Sequence, residues 1–159
     1  LSLSPALAAQ LANQPALADA GLGRVVFLDT ETTGLSGGTG TFAFMVGLGF
    51  FHGDGFSILQ FFMRDYSEEK ASLSLINELL ESFQFLVTFN GKHYDIPLLE
   101  TRFILCRMKT KIREIPNFDL LYPSRKIWKG AYDNCRLVTL ESQLLGMERG
   151  EARGQLGHK

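Results

Sequence analysis

Apolar and polar positions fall into blocks along the chain, and the blocks define its elements. Residues 1 to 23 are rich in Ala and Leu, with Leu7 and Leu11 one helical turn apart and Pro15 breaking the run, so a short helix and a linker are expected. Val25-Val26-Phe27-Leu28 is apolar on both faces, as in a strand at the middle of a sheet, and it runs into Asp29. Gly34, Gly37, Gly38 and Gly40 mark a turn. The apolar runs Phe42 to Phe51 and Phe56 to Met63, separated by His52-Gly53-Asp54-Gly55, then read as an antiparallel hairpin continuing the first strand.

Helical spacing follows. Asp65 with Glu68 has the spacing of a capping box, and Leu73, Ile76, Leu79, Leu80 and Phe83 recur on one face. Phe85 to Phe89 is a short buried strand closed by Asn90-Gly91. Ile96 to Cys106 is a second helix that tolerates Pro97 in its first turn, with Asp95 at its start. Beyond Ile115-Pro116 the pattern predicts a helix from about Phe118 to Trp128 and another from Thr139 to Leu145, stopped by Gly146. The order β-β-β-α-β-α argues for an α/β fold, a mixed sheet with helices packed on it. A Rossmann fold is excluded, because the glycines after the first strand do not make GxGxxG and lead into strands. Alternation is not strict enough for a TIM barrel.

A chain of 159 residues with 45% hydrophobic content suits one domain with one core. Its longest apolar run, Phe42 to Phe51, is half of the roughly 20 residues that a membrane helix needs, so no membrane partner is expected. The opening Leu1-Ser2-Leu3 has neither an initiator Met nor a positive signal-peptide start and reads as an interior piece of a longer reading frame. Cys106 and Cys135 form no CxxC pair and have no His at zinc-site spacing, which fits reduced thiols and a cytoplasmic setting. Net charge is only −1, but its distribution is uneven. Residues 1 to 91 hold three Lys/Arg against nine Asp/Glu, and residues 92 to 129 hold nine against four. The basic stretch is either an ordinary solvated face or a border for phosphates, with Arg125, Lys126 and Lys129 as the candidate contacts.

Two constellations could carry chemistry. Asp29 and Glu31 stand two apart at the end of the first strand, so both carboxylates leave one face with backbones about 6.5 Å apart. Like charges this close raise each other's pKa unless a cation neutralises them. With only oxygen donors and no Cys or His beside them, that cation would be Mg²⁺ or Mn²⁺. Asp95 follows the strand Val87-Thr88-Phe89 and can approach Asp29 and Glu31 at the sheet's edge, or simply cap its helix. Three acids could then bridge two ions, one activating water and one stabilising the departing alkoxide. A metal-free carboxylate-pair hydrolase, such as a retaining glycosidase, stays open on spacing alone.

Phe27-Leu28-Asp29-Thr30-Glu31-Thr32-Thr33-Gly34-Leu35 resembles the first motif of the DEDD exonuclease superfamily. Asn90 followed by Tyr94-Asp95 resembles its second. Within that superfamily the chain is most similar to the YprB-type ribonuclease H-like domain. The likeness runs through Phe89-Asn90-Gly91-Lys92, Tyr94-Asp95-Ile96-Pro97, Asp119-Leu120-Leu121 with Ser124-Arg125 and Trp128, and Leu137 to Gly146, covering about residues 24 to 149. The resemblance implies a ribonuclease H-like fold whose first three strands are antiparallel and whose next is parallel. It also implies two bound Mg²⁺ or Mn²⁺ ions, and hydrolysis of single-stranded RNA or DNA from a 3′ end. Asp29, Glu31 and Asp95 take the roles of catalytic metal ligands. Thr32 and Leu35 match positions lying against the terminal nucleotide in related exonucleases, while Asn90, Lys92 and His93 shape the turn or touch phosphate.

The sequence also departs from the pattern. Superfamily members supply a fourth acid from a late helix, after a His or Tyr, and no H-x-x-x-x-D or Y-x-x-x-D follows Gly146. His158 has no Asp after it, and Asp119 reads as a helix cap. The expected organisation is therefore a helix and linker over 1 to 23, a nuclease core over 24 to 149 lacking its last helix, and a tail over 150 to 159. The alternative function is a catalytically incomplete nucleic-acid-binding or scaffolding domain of the same fold.

Overall fold

The computed structural model describes residues 4–18, 24–34 and 40–147. Leu35, the segment from 148 onward and His158 lie outside the described residues. The chain divides into two compact units, Leu1–Pro123 and Ser124–Lys159.

The first unit opens with α1 (Pro5–Ala12), where Pro5 starts the helix and Asn13 ends it in the left-handed region at φ 52°. A 3₁₀ turn, Pro15–Leu17, follows. Then come β1 (Val25–Thr32), β2 (Ala43–His52), β3 (Gly55–Phe62), α2 (Glu69–Leu80), β4 (Phe85–Thr88), α3 (Asp95–Leu105) and β5 (Asn117–Asp119). The strands form one sheet in the order β3-β2-β1-β4-β5. β1 pairs antiparallel with β2, and β2 with β3, whereas β4 is parallel to both β1 and β5. This is the mixed sheet that the sequence pattern and the resemblance lead one to expect.

Both faces of β1 are used, which is why its first half reads as uniformly apolar. Val26 and Leu28 join Val46, Leu48 and Leu86 under Leu73, Ile76 and Leu80 of α2 and Leu99 and Phe103 of α3. On the other face, Val25, Phe85, Val87 and Phe118 pack with Ala8, Ala9 and Leu17. Fully burying a side chain such as Phe103 or Leu99 stabilises the fold by about 1.5–3 kcal/mol each. A buried ion pair ties α3 to α2: Arg102 donates to Glu69 at 2.5 and 2.8 Å, and its guanidinium lies 3.8 Å from the centre of the Phe42 ring.

Three local expectations are refined. The capping box is displaced, because Asp65 accepts from the Ser67 N–H and Glu68 reaches back to the Arg64 N–H, so a 3₁₀ turn (Tyr66–Glu68) precedes α2. β1 continues through Asp29 and Glu31 to Thr32, so both acids lie within the strand rather than at its exit. The segment expected to be helical from Phe118 begins instead with β5. Three residues are too few to show a period of two, and pairing with Leu86, Val87 and Thr88 of β4 decides the conformation. Only then does α4 (Leu121–Trp128) begin.

In the second unit, α5 (Leu137–Leu145) ends at Gly146 in the left-handed region, φ 62°. Asn134 accepts from the Arg136 N–H and the Thr139 hydroxyl just before that helix. No described helix is long and apolar enough to cross a membrane.

Candidate active site

The site is built where β1 runs on beyond its pairing with β4 and stays paired with β2. Exposure alternates along the strand, so Phe27, Asp29 and Glu31 share the open face while Leu28 and Thr30 turn toward the helices. Asp29 pairs with Gly47 and Glu31 with Met45, and the register slips between Glu31 and Thr32, where Thr32 faces Ala43. Such a bulge re-aims the side chains beside it. Asp29 and Glu31 are thus solvent-facing neighbours on one strand.

Asp95 arrives from the other direction. It opens α3 and is 7% exposed, and its Oδ1 accepts the hydroxyl hydrogen of Thr30 at 2.5 Å. The residue between the two strand acids therefore anchors the third. Burial pushes the Asp95 carboxyl above the usual carboxylate range, the Thr30 hydrogen bond opposes that rise, and the negative charge of Asp29 adds to it.

The loop that delivers Asp95 is itself fixed. Asn90 adopts φ 66°, a left-handed conformation that Asn tolerates better than most side chains. Gly91 is required by close approach, since a Cβ there would meet the Thr88 side chain at 2.6 Å. The Gly91 carbonyl accepts the Ile96 N–H at 2.9 Å, joining the loop to the first turn of α3. Beneath it, buried Asp119 accepts from the backbone N–H groups of Asn90 at 2.7 Å, Lys92 at 3.0 Å and Leu121 at 3.1 Å. The cap reading of Asp119 describes only the last of these bonds.

The remaining candidates are less concentrated. Thr32 donates to the Gly34 carbonyl at 3.0 Å, closing the turn after β1. Lys92 is exposed, with its ammonium 5.8 Å from the centre of the Tyr122 ring, and His93 Nε2 is 2.6 Å from the Tyr122 hydroxyl. Arg125, Lys126 and Lys129 are exposed in the second unit. Sequence reasoning missed the parts played by Thr30 and Asp119. The first was signalled only by its place inside Asp-Thr-Glu, and the second by nothing local, because its partners Asn90 and Lys92 lie 29 and 27 residues away.

Among the described residues no three or more His, Cys, Asp or Glu side chains gather closely enough to hold a metal ion as they stand. The donor set nevertheless suits a hard divalent cation. It offers carboxylate oxygens only, the donors that Mg²⁺ and Mn²⁺ prefer.

The chain's sequence matches a known family. The profile of the RNase_H superfamily matches residues 26–157, and the chain belongs to that ribonuclease H-like family. The chain is also similar to the uncharacterized protein YprB of Bacillus subtilis (strain 168), at 38% identity over 127 residues. That alignment covers 79% of this chain and 30% of the relative, so the chain spans less than a third of the protein it matches.

Proposed function

We propose that this chain is the core of a Mg²⁺- or Mn²⁺-dependent nuclease of the DEDD exonuclease type, shortening single-stranded RNA or DNA from its 3′ end. The observation that carries the reading is the Thr30–Asp95 hydrogen bond, which draws the acid of α3 to the strand bearing Asp29 and Glu31. In this reading Asp29, Glu31 and Asp95 hold the metal. When bound, two divalent ions would supply charge stabilisation for the attacking and leaving oxygens of the phosphodiester. Asp29 and Glu31 present carboxylates on the open face, where substrate can reach them, and Asp95, buried at the start of α3, is held from the helix side by Thr30. Thr32 lies at the turn where a terminal nucleotide would rest. Asn90 and Lys92 belong to the loop beside Asp95, and Arg125, Lys126 and Lys129 are the proposed phosphate contacts. The cytoplasm, where reduced Cys106 and Cys135 belong, is the proposed setting.

A second reading has its own support. Among the described residues no three ligands gather closely enough to hold a metal ion as they stand, as in a nucleic-acid-binding or scaffolding domain of the same fold without turnover. The test is degradation of 3′- and 5′-labelled single-stranded RNA and DNA with Mg²⁺ or Mn²⁺, comparing the chain with Asp29→Ala and with an EDTA control. Metal-dependent shortening from the 3′ end that is lost in Asp29→Ala supports the nuclease. Salt-sensitive binding without cleavage supports the second reading.

A further inference from the structure

We infer that Asp119 is a positioning residue for the metal-holding carboxylate of Asp95, acting through the β4-α3 loop. This rests on the metal-binding reading of Asp29, Glu31 and Asp95 given above. Capping α4 needs only the bond to the Leu121 N–H. Asp119 makes two more, at 2.7 and 3.0 Å, to the Asn90 and Lys92 N–H groups, and is only 3% exposed. Shifting the loop would strip a buried carboxylate of its donors, which is costly. The same loop is held against Thr88 by Gly91, whose carbonyl bonds the Ile96 N–H in the first turn of α3. The path from Asp119 to Asp95 is therefore a short series of hydrogen-bonded backbone units, and a ligand must be held within about 0.5 Å to be effective. An Asn at 119 has one carboxylate oxygen replaced by an NH₂ group, which cannot accept, so one loop N–H faces a donor.

The test measures Mn²⁺ binding, from loss of the free-ion electron paramagnetic resonance signal, together with NMR hydrogen exchange of the Asn90 and Lys92 amides. It compares the wild-type chain with Asp119→Asn and Gly91→Ala. Asp119→Asn is expected to speed exchange at one or both amides and to weaken Mn²⁺ binding about 10-fold or more, the range for residues that orient a ligand. Gly91→Ala, which displaces the loop with Asp119 intact, is expected to weaken Mn²⁺ binding similarly. Asp119→Asn with faster exchange but wild-type Mn²⁺ affinity overturns the proposal, and so does unchanged exchange at both amides. If Asp119→Asn does not fold, wild-type Mn²⁺ affinity in a folded Gly91→Ala overturns it. A wild-type chain that binds no Mn²⁺ contradicts the metal reading itself, and with it the positioning role. That failure is read on the unsubstituted chain, so it is distinguishable from the others.

Discussion

Thr30 and Asp95, 65 residues apart in the chain, meet through a hydroxyl-to-carboxylate hydrogen bond of 2.5 Å. Their contact joins the central strand to the start of α3 through the middle residue of Asp-Thr-Glu. Thr30→Val keeps the shape and removes the donor. The buried Asp95 carboxylate then loses a partner, with an expected cost of about 1–3 kcal/mol in fold stability in EDTA. Metal affinity is expected to fall about 10-fold. Chemical denaturation and Mn²⁺ titration of the same sample check both.

The Arg102–Glu69 pair supports a second prediction. Arg102 is 5% exposed and makes a two-pronged contact with Glu69, so Glu69→Gln leaves a buried guanidinium short of its counter-charge. Losing one partner of such a pair costs about 3–5 kcal/mol. Urea denaturation midpoints compare the variant with the wild type. A double variant with apolar residues of similar volume at both positions is expected to recover most of the loss.

Cys106 gives a pH-dependent readout. Burial pushes its thiol above the ordinary value, and the nearby Glu69 carboxylate, 3.3 Å from the sulfur, pushes the same way. A folded-state pKa above the unfolded one means that the protonated thiol stabilises the fold, and that this contribution is lost as pH rises through the elevated value. Alkylation of Cys106 by iodoacetamide is therefore expected to need more alkaline solution in the native chain than in guanidinium. Mass spectrometry of the modified peptide follows the rate against pH.

Neutralising Arg125, Lys126 and Lys129 together tests the phosphate contacts. If all three meet phosphates, the slope of log affinity against log salt for single-stranded nucleic acid should shrink by about 2, from about 0.7 per contact. An unchanged slope removes these residues from the interface.

Much of the first unit was legible in the sequence. The β1 stretch showed itself because both faces are covered, one by α2 and α3 and the other by the α1 segment, and the hairpin of β2 and β3 by its Gly-Asp-Gly turn. Asp29 and Glu31 stood out as candidates by their spacing of two at the end of a buried strand, and Asp95 by following soon after another. β5 was hidden by its brevity, and its pairing with β4 is a tertiary fact. The links from Thr30 to Asp95 and from Asp119 to the Asn90 loop were hidden for the same reason. Each joins residues distant in sequence, through side chains that are ordinary in a strand or at a helix start.

The central claim of the proposed function is that Asp29, Glu31 and Asp95 hold a divalent ion, and Mn²⁺ binding by single-site variants tests it most directly. Asp29→Asn, Glu31→Gln and Asp95→Asn, titrated with Mn²⁺ beside the wild type, are each expected to weaken binding by about 10-fold or more, given that ligating carboxylates must be ionised. Wild-type affinity retained in all three variants would contradict the claim.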